Sequence, residues 1–230
     1  MPQPIVPTGE TRVWLDTPAL TFREALPLGN GRLGAMVFGG ITEERIVLNE
    51  SSVWSGSPHA ADRPEAWRVL PEIRQLLLAG RNAEAEALVR QHFVCQGPGS
   101  GHGRGARVPF GCYQVLGNLH LAFGQNDPDE PNGTGMVPTE RRHYYRELDL
   151  ARGVMTLEHD LNGVRYRREA FASAPAEAIV MRFTADQPGR IFLRVRLDRP
   201  ERFRTTGDGP GRLLMTGQLE NGVDGRGVEY

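Results

Sequence analysis

Glu24-Ala-Leu-Pro-Leu-Gly-Asn-Gly-Arg-Leu-Gly-Ala-Met-Val-Phe-Gly-Gly40 is the stretch that decides the fold class of this chain. Five glycines interrupt an apolar run, and Gly29-Asn30-Gly31 can adopt the positive φ angles of a tight reversal. Residues 33–38 then have the composition of a strand that is buried on both faces. A second short strand follows at residues 45–48. The stretch therefore predicts strands joined by glycine turns.

The same pattern continues through the second half of the chain. Strands spaced by about ten residues are predicted at 119–123, 146–150, 154–161, 164–172, 178–184, 190–197 and 213–219. Asn162-Gly163 is the strongest hairpin signal, because this pair readily forms a type I′ turn. A further strand pattern begins at residues 225–230. We expect a mainly β fold, an antiparallel sandwich of two sheets.

Residues 64–93 follow a helical pattern instead. Apolar side chains recur there at spacings of three and four, at Trp67, Leu70, Ile73, Leu76 and Leu77. Pro71 interrupts this stripe, so that a kink or two short helices are expected. Gly80 suits the end of the first helix, and Asn82 can cap a second one. We expect one or two short amphipathic helices that cover a sheet, with Trp67 in the helix core.

The charge balance argues against nucleic acid or an anionic membrane as the main partner. The 27 Lys and Arg residues are matched by 28 Asp and Glu residues, which gives a net charge of −1. No stretch approaches the ~20 apolar residues of a membrane span. The first 18 residues lack the charged and apolar regions of a signal peptide, so a cytoplasmic location is expected.

Three segments are expected to be poorly ordered. They are the N-terminus at residues 1–12, the Gly-rich loop at 96–112 and the polar loop at 125–137. Cys95 and Cys112 flank the Gly-rich loop, and either two thiols or a disulfide would be compatible with the sequence. Two thiols are the favoured interpretation.

Several motifs together resemble glycoside hydrolase family 95, the α-L-fucosidase family. The first two are the stretch quoted above and Leu48-Asn-Glu-Ser-Ser-Val-Trp-Ser-Gly56. The others follow in the family's order: Leu70-Pro-Glu-Ile-Arg74, Ala83-Glu-Ala-Glu-Ala-Leu88, Tyr113-Gln-Val-Leu-Gly-Asn-Leu119, Tyr145-Arg-Glu-Leu-Asp-Leu150 and Tyr166-Arg-Arg-Glu-Ala-Phe-Ala-Ser173. The resemblance extends over residues 13–230, and the ordered set is far more specific than any single motif.

The resemblance implies that residues 13–230 form an N-terminal β super-sandwich domain, incomplete at its C-terminal end. In that family an (α/α)6 barrel follows and holds an inverting catalytic site, with a glutamate as general acid. This chain would then contain no catalytic residue, need no cofactor and be inactive alone. Its partners would be the barrel of the same polypeptide and, in the full-length enzyme, a fucosylated oligosaccharide. The family also contains enzymes that act on L-galactosides.

An interrupted sandwich also has a physical consequence. A strand pattern that stops at Tyr230 would leave an unpaired edge and an uncovered apolar face. We therefore expect the fragment to self-associate.

The most family-like turns supply the candidate site residues. They are candidates for substrate binding or for facing the barrel: Asn30, Arg32, Asn49, Glu50, Trp54, Tyr113 and Gln114. For Glu50 the favoured interpretation is structural, as a cap of a backbone amide or a partner of an arginine. Trp54 and Trp14 could stack on a sugar ring, but packing in a core is the commoner role of tryptophan.

Other polar groups are assigned to structural roles. The six histidines show no metal-ligand spacing, so no metal site is predicted. Glu147 with Asp149, and Glu158 with Asp160, are expected in solvent beside arginines, and Arg165, Arg167 and Arg168 on a solvated face. Two other functions remain open: a stand-alone carbohydrate-binding module, and a complete small hydrolase.

Overall fold

A computed structural model of the chain describes residues 11–56, 62–95, 112–124, 141–220 and 227–230. The expectations for residues 1–10, for the loop at 96–111 and for the loop at 125–137 lie outside the described residues, as do His59 and His102. Within the described residues the chain is mainly β, as the sequence predicts.

The described elements are listed here in chain order. The strands are β1 (Arg12–Leu15), β2 (Leu26–Gly29), β3 (Leu33–Val37), β4 (Glu43–Glu50), β5 (Gly117–Phe123), β6 (Arg141–Asp149), β7 (Val154–Leu161), β8 (Val164–Ser173), β9 (Ala178–Ala185), β10 (Leu193–Asp198), β11 (Phe203–Gly207) and β12 (Leu213–Gly217). The helices are α1 (Leu70–Leu78) and α2 (Asn82–His92), with short 3-10 segments at Phe22–Glu24 and Ala66–Val69.

The described strands form two five-stranded antiparallel sheets and one hairpin. The first sheet has the order β1-β6-β7-β8-β9 and the second the order β10-β5-β4-β3-β2, while β11 pairs with β12. No individual bounds were predicted for β1, β2 or β11, which have only four or five residues each. The predicted architecture, antiparallel sheets with two short helices, is confirmed.

The two large sheets pack their inner faces into one apolar core. Alternate residues of each strand point inward, as in β7, where Met155 and Leu157 are almost completely buried. Leu26, Leu28, Ala35, Val37, Ile46 and Leu121 of the second sheet join them, with Tyr144, Leu148 and Ala170 of the first.

Glycine geometry explains two of the tight turns. Asn162 and Gly163 have φ angles of 50° and 76°, so the β7–β8 hairpin has the turn that the Asn-Gly pair predicts. Gly31 has a φ of 94° in the β2–β3 turn. Gly80, with a φ of 71°, follows α1 as the sequence indicates.

The chain divides into two compact units. The first contains Met1–Val53, Gln114–Gly217 and Tyr230, as far as these residues are described, and so holds both large sheets. The second contains Trp54–Tyr113 and Gln218–Glu229 and so holds both helices.

In the second unit, Ile73 and Leu76 of α1 are buried against Ala85 of α2. The prediction that Trp67 lies in the helix core is wrong, since 63% of its surface is exposed. Its 3-10 segment precedes Pro71, which lies in the first turn of α1.

Candidate functional site

The turn between β2 and β3 is organised by the side chain of Asn30. Its Oδ1 accepts hydrogen bonds from the backbone amides of Arg32, at 3.0 Å, and Leu33, at 2.7 Å. The backbone amide of Asn30 donates to the carbonyl oxygen of Leu33 at 3.1 Å. An asparagine side chain of this kind supplies partners for amides that a tight reversal leaves unpaired. The Gly-Asn-Gly motif therefore has a specific local structure.

Asn30 also joins the two large sheets. Its Nδ2 donates to the carbonyl oxygen of Ser173, the last residue of β8, at 2.9 Å. β8 lies in the first sheet, whereas β2 and β3 lie in the second. One side chain thus both shapes a hairpin and ties the sheets together.

Replacing Asn30 by alanine should lower the free energy of unfolding by about 1–2 kcal/mol, because three hydrogen bonds are lost in a partly buried setting. Urea denaturation would measure this loss. The matched control is Gln187→Ala, which removes an exposed amide that donates to the carbonyl of Gly163 within one sheet. The control should change stability by less than about 0.5 kcal/mol. Equal losses in both variants would contradict the inter-sheet role of Asn30.

Arg32 bridges two carboxylates beside this turn. Its Nε donates to Oε1 of Glu50 at 3.0 Å, and its Nη1 donates to Oε2 of Glu177 at 2.9 Å. Glu50 ends β4 in the second sheet, and Glu177 lies in the turn between β8 and β9 of the first. We call Asn30, Arg32, Glu50, Ser173 and Glu177 the turn cluster.

Glu50 is held in its ionised form. Its Oε2 accepts hydrogen bonds from the hydroxyl of Ser52 and, at 2.8 Å, from the backbone amide of Ser52. The Ser52 hydroxyl most of all, together with that amide and Arg32, keeps the pKa of Glu50 below its ordinary value. The general acid of an inverting glycosidase needs a raised pKa, so that its carboxyl group carries a proton. Glu50 makes both contacts that the favoured interpretation predicts, one with a backbone amide and one with an arginine.

Glu44 shows the raised pKa that an acid catalyst needs, but it lies in the core. Burial raises the pKa of Glu44, while the charge of Arg168 and the amides of the preceding turn oppose this shift. A sugar has no access to this carboxyl group. Glu158 is paired with Arg167 and Asp160 with Arg165, as predicted. The prediction that Asp149 lies in solvent is wrong, since it is buried and its Oδ1 accepts hydrogen bonds from the backbone amides of Ala151 and Arg152. Neither Glu44 nor Glu50 therefore combines a raised pKa with access to a substrate.

Arg168 is not on a solvated face, so that prediction is wrong. Successive residues of a strand point to opposite faces, and Arg168 therefore points inward between Arg167 and Glu169. Its Nη2 donates to the carbonyl of Ile41 at 2.6 Å, and its Nη1 lies 3.3 Å from Oε2 of Glu44. Burial lowers the pKa of Arg168 to about 10, so it remains charged at neutral pH. The alternation along residues 164–170 was the signal that could have revealed it.

Trp54 and Tyr113 form a separate pair in the second unit. They make an isolated antiparallel bridge, and their rings meet edge to face with centroids 5.6 Å apart and an interplanar angle of 65°. The side chains are 48% and 44% exposed, so neither is a core residue. Trp14, in the first unit, stacks on Tyr145 at 6.2 Å.

The remaining candidates make backbone contacts in the first unit. Asn49 pairs with Gly34 in the β3–β4 register, and its Oδ1 is buried without a hydrogen-bond partner among the described residues. The backbone amide of Gln114 donates to the carbonyl of Val53 at 2.9 Å. Among the candidates, Arg32 contacts both Asn30 and Glu50, and Trp54 contacts Tyr113.

The described part of the chain contains no group of three or more His, Cys, Asp and Glu side chains placed to hold a metal ion. Neither of its helices is long and apolar enough to cross a membrane. Cys95 and Cys112 both carry exposed thiols, and no disulfide joins them.

Comparison with known families identifies the domain. Residues 13–229 match the family described as "Glycosyl hydrolase family 65, N-terminal domain". The chain belongs to this family. This N-terminal domain is 30% identical over 181 residues to "Alpha-L-fucosidase 2" of Arabidopsis thaliana, covering 79% of the chain and 19% of that protein. It is 31% identical over 186 residues to "Probable alpha-fucosidase A" of Aspergillus niger, covering 76% of the chain and 20% of that protein.

These relatives confirm the resemblance that the sequence motifs indicated. The N-terminal domain spans about a fifth of the length of the relatives it matches. The turn cluster lies wholly within the matched residues 13–229. The relatives therefore contain a large additional part that this chain does not cover.

Proposed function

We propose that this chain is the supporting N-terminal domain of an inverting α-L-fucosidase that acts on fucosylated glycans, and that the catalytic acid and base belong to another part of that polypeptide. The observation that carries the proposal is the state of the carboxyl groups. Accessible Glu50 has a lowered pKa, and Glu44, whose pKa is raised, is buried. The names of the relatives and their greater length support the choice of substrate class.

The contribution of such a domain is rigidity. A catalytic site loses about a hundredfold in rate when its reacting groups are misplaced by 1 Å. A neighbouring domain that holds the backbone of the catalytic residues in place therefore has a large effect on the rate. The turn cluster suits this task, because Asn30 and Arg32 connect the β2–β3 hairpin of the second sheet to Ser173 and Glu177 of the first. We expect the domain to be inactive alone.

A chimera tests the supporting role. Residues 1–230 would replace the matched segment of the Aspergillus niger relative, and a second variant would lack that segment altogether. The chimera should hydrolyse 2′-fucosyllactose, whereas the deletion should lower kcat/KM by about a hundredfold or more. A deletion variant as active as the parent enzyme, or a chimera as inactive as the deletion, would contradict the proposal.

The second candidate function is a stand-alone carbohydrate-binding module. The exposed Trp54 and Tyr113 pair favours it, since aromatic faces bind sugar rings. Their edge-to-face angle of 65°, however, does not present one flat platform. Titration of the chain with 2′-fucosyllactose separates the two functions, and we expect no binding below about 1 mM. Binding that Trp54→Ala abolishes would support the module.

A further inference from the structure

The hairpin of α1 and α2 uses only part of its apolar surface internally. Ile73 and Leu76 are buried against Ala85, but the next residue along α1, Leu77, is 52% exposed. In α2, Val89 and Phe93 are also exposed. Apolar side chains of this size are normally buried when they occur in a row. The hairpin therefore has apolar surface beyond its own contact.

Most of the exposed apolar residues lie on one side of the hairpin, together with half-buried Leu70. A helix turns 100° per residue, so Leu70 and Leu77, seven residues apart, differ by only about 20°. Val89 and Phe93 are related by four residues on α2. α1 and α2 are joined by three residues and run antiparallel. Residues that are rotated in the same direction from the buried contact, one set on each helix, therefore lie on the same side of the hairpin. We call Trp67, Leu70, Leu77, Val89 and Phe93 the helical face.

The charge on this side is also unbalanced. Arg68, Arg81 and Arg90 each pair with a glutamate three or four residues away. Arg74 lies between Leu70 and Leu77 on the helical face and makes no ion pair with the described residues. An apolar surface that carries one unpaired cation is complementary to an apolar surface that carries a carboxylate.

We propose that the helical face is the surface on which the catalytic part of an α-fucosidase polypeptide packs, with a carboxylate of that part opposite Arg74. The proposal rests on the proposed function. The occupant is indicated by length, because about four-fifths of each matched relative lies outside the part that this chain covers. The complementary charge is indicated by Arg74.

The chimera described above provides the test, with Leu77→Glu and Arg74→Glu as test variants. Gln75→Glu is the control, since Gln75 is exposed and lies about 160° from Leu77 around α1. Hydrogen exchange of residues 70–93 should be at least about tenfold slower in the chimera than in the free chain. Both test variants should remove this protection and lower residual activity after heating about tenfold, while Gln75→Glu should change neither.

The outcomes separate the two proposals. An active chimera in which Leu77→Glu and Gln75→Glu behave alike would overturn the proposal for the helical face and leave the supporting role intact. An inactive chimera would overturn both. A concentration-dependent dimer of the free chain that Leu77→Glu dissociates would also overturn the proposal, because the occupant would then be a second copy.

Discussion

Replacing Arg168 by methionine is expected to lower the free energy of unfolding by about 3–5 kcal/mol. Methionine retains most of the apolar volume but leaves the carboxylate of Glu44 without its counter-charge in the core. The carbonyl groups of Gly40 and Ile41 also lose their donors. The contact of the guanidinium with the ring of Phe123, 3.8 Å from its centroid, disappears as well. Urea denaturation followed by fluorescence and circular dichroism would measure the loss.

The control is the neighbouring residue on the opposite face of β8. Arg167 pairs with Glu158 and Glu169 at the surface, so Arg167→Met should cost about 0–1 kcal/mol. Glu44→Gln in the Arg168→Met background should recover part of the loss, because a neutral amide tolerates burial better than a carboxylate. Similar destabilisation by both methionine variants would show that the buried pair has no special role.

The second large effect is expected at Gly39, which has a φ of 78°. A Cβ atom there would lie 2.5 Å from the hydroxyl oxygen of Tyr144 and 2.9 Å from Cδ of Arg146. That hydroxyl donates to the Gly39 carbonyl at 2.6 Å, and Arg146 is buried by the same turn, so neither can move freely. Gly39→Ala should therefore cost about 3 kcal/mol, the sum of backbone strain and overpacking.

Gly153→Ala separates these two contributions. Gly153 has a φ of 64°, but nothing lies within 4 Å of the position of its Cβ. Its substitution should cost only the strain of about 1 kcal/mol. Thermal or urea unfolding of both variants would measure the difference. If Gly39→Ala were no worse than Gly153→Ala, the close packing of Tyr144 and Arg146 on this turn would be refuted.

Much of the fold follows from local patterns. β7 occupies the predicted residues 154–161, because its alternation is regular and an Asn-Gly turn ends it. Pro71 and Gly80 mark the beginning and the end of α1 for steric reasons that act on the backbone alone. The turn of Asn30 follows from the Gly-Asn-Gly motif in the same way.

The long-range contacts could not be derived from those patterns. The pairing of Asn30 with Ser173 and of Arg32 with Glu177 joins residues more than 140 positions apart, and only the stacking of the two sheets brings them together. The burial of Arg168 depends on Glu44, whose position opposite it has no local signature. The prediction that Trp67 is buried was wrong for a related reason. Its spacing matched an apolar stripe, but the contact between α1 and α2 buries only part of that stripe.

The rate at which the purified chain hydrolyses 4-nitrophenyl α-L-fucoside tests the central claim most directly. The account predicts no turnover above the uncatalysed rate, because Glu50 is paired with Arg32 and Glu44 is buried beside Arg168. Turnover by the 230-residue chain that Glu50→Gln or Glu177→Gln abolishes would contradict it, since the acid and base would then belong to this domain.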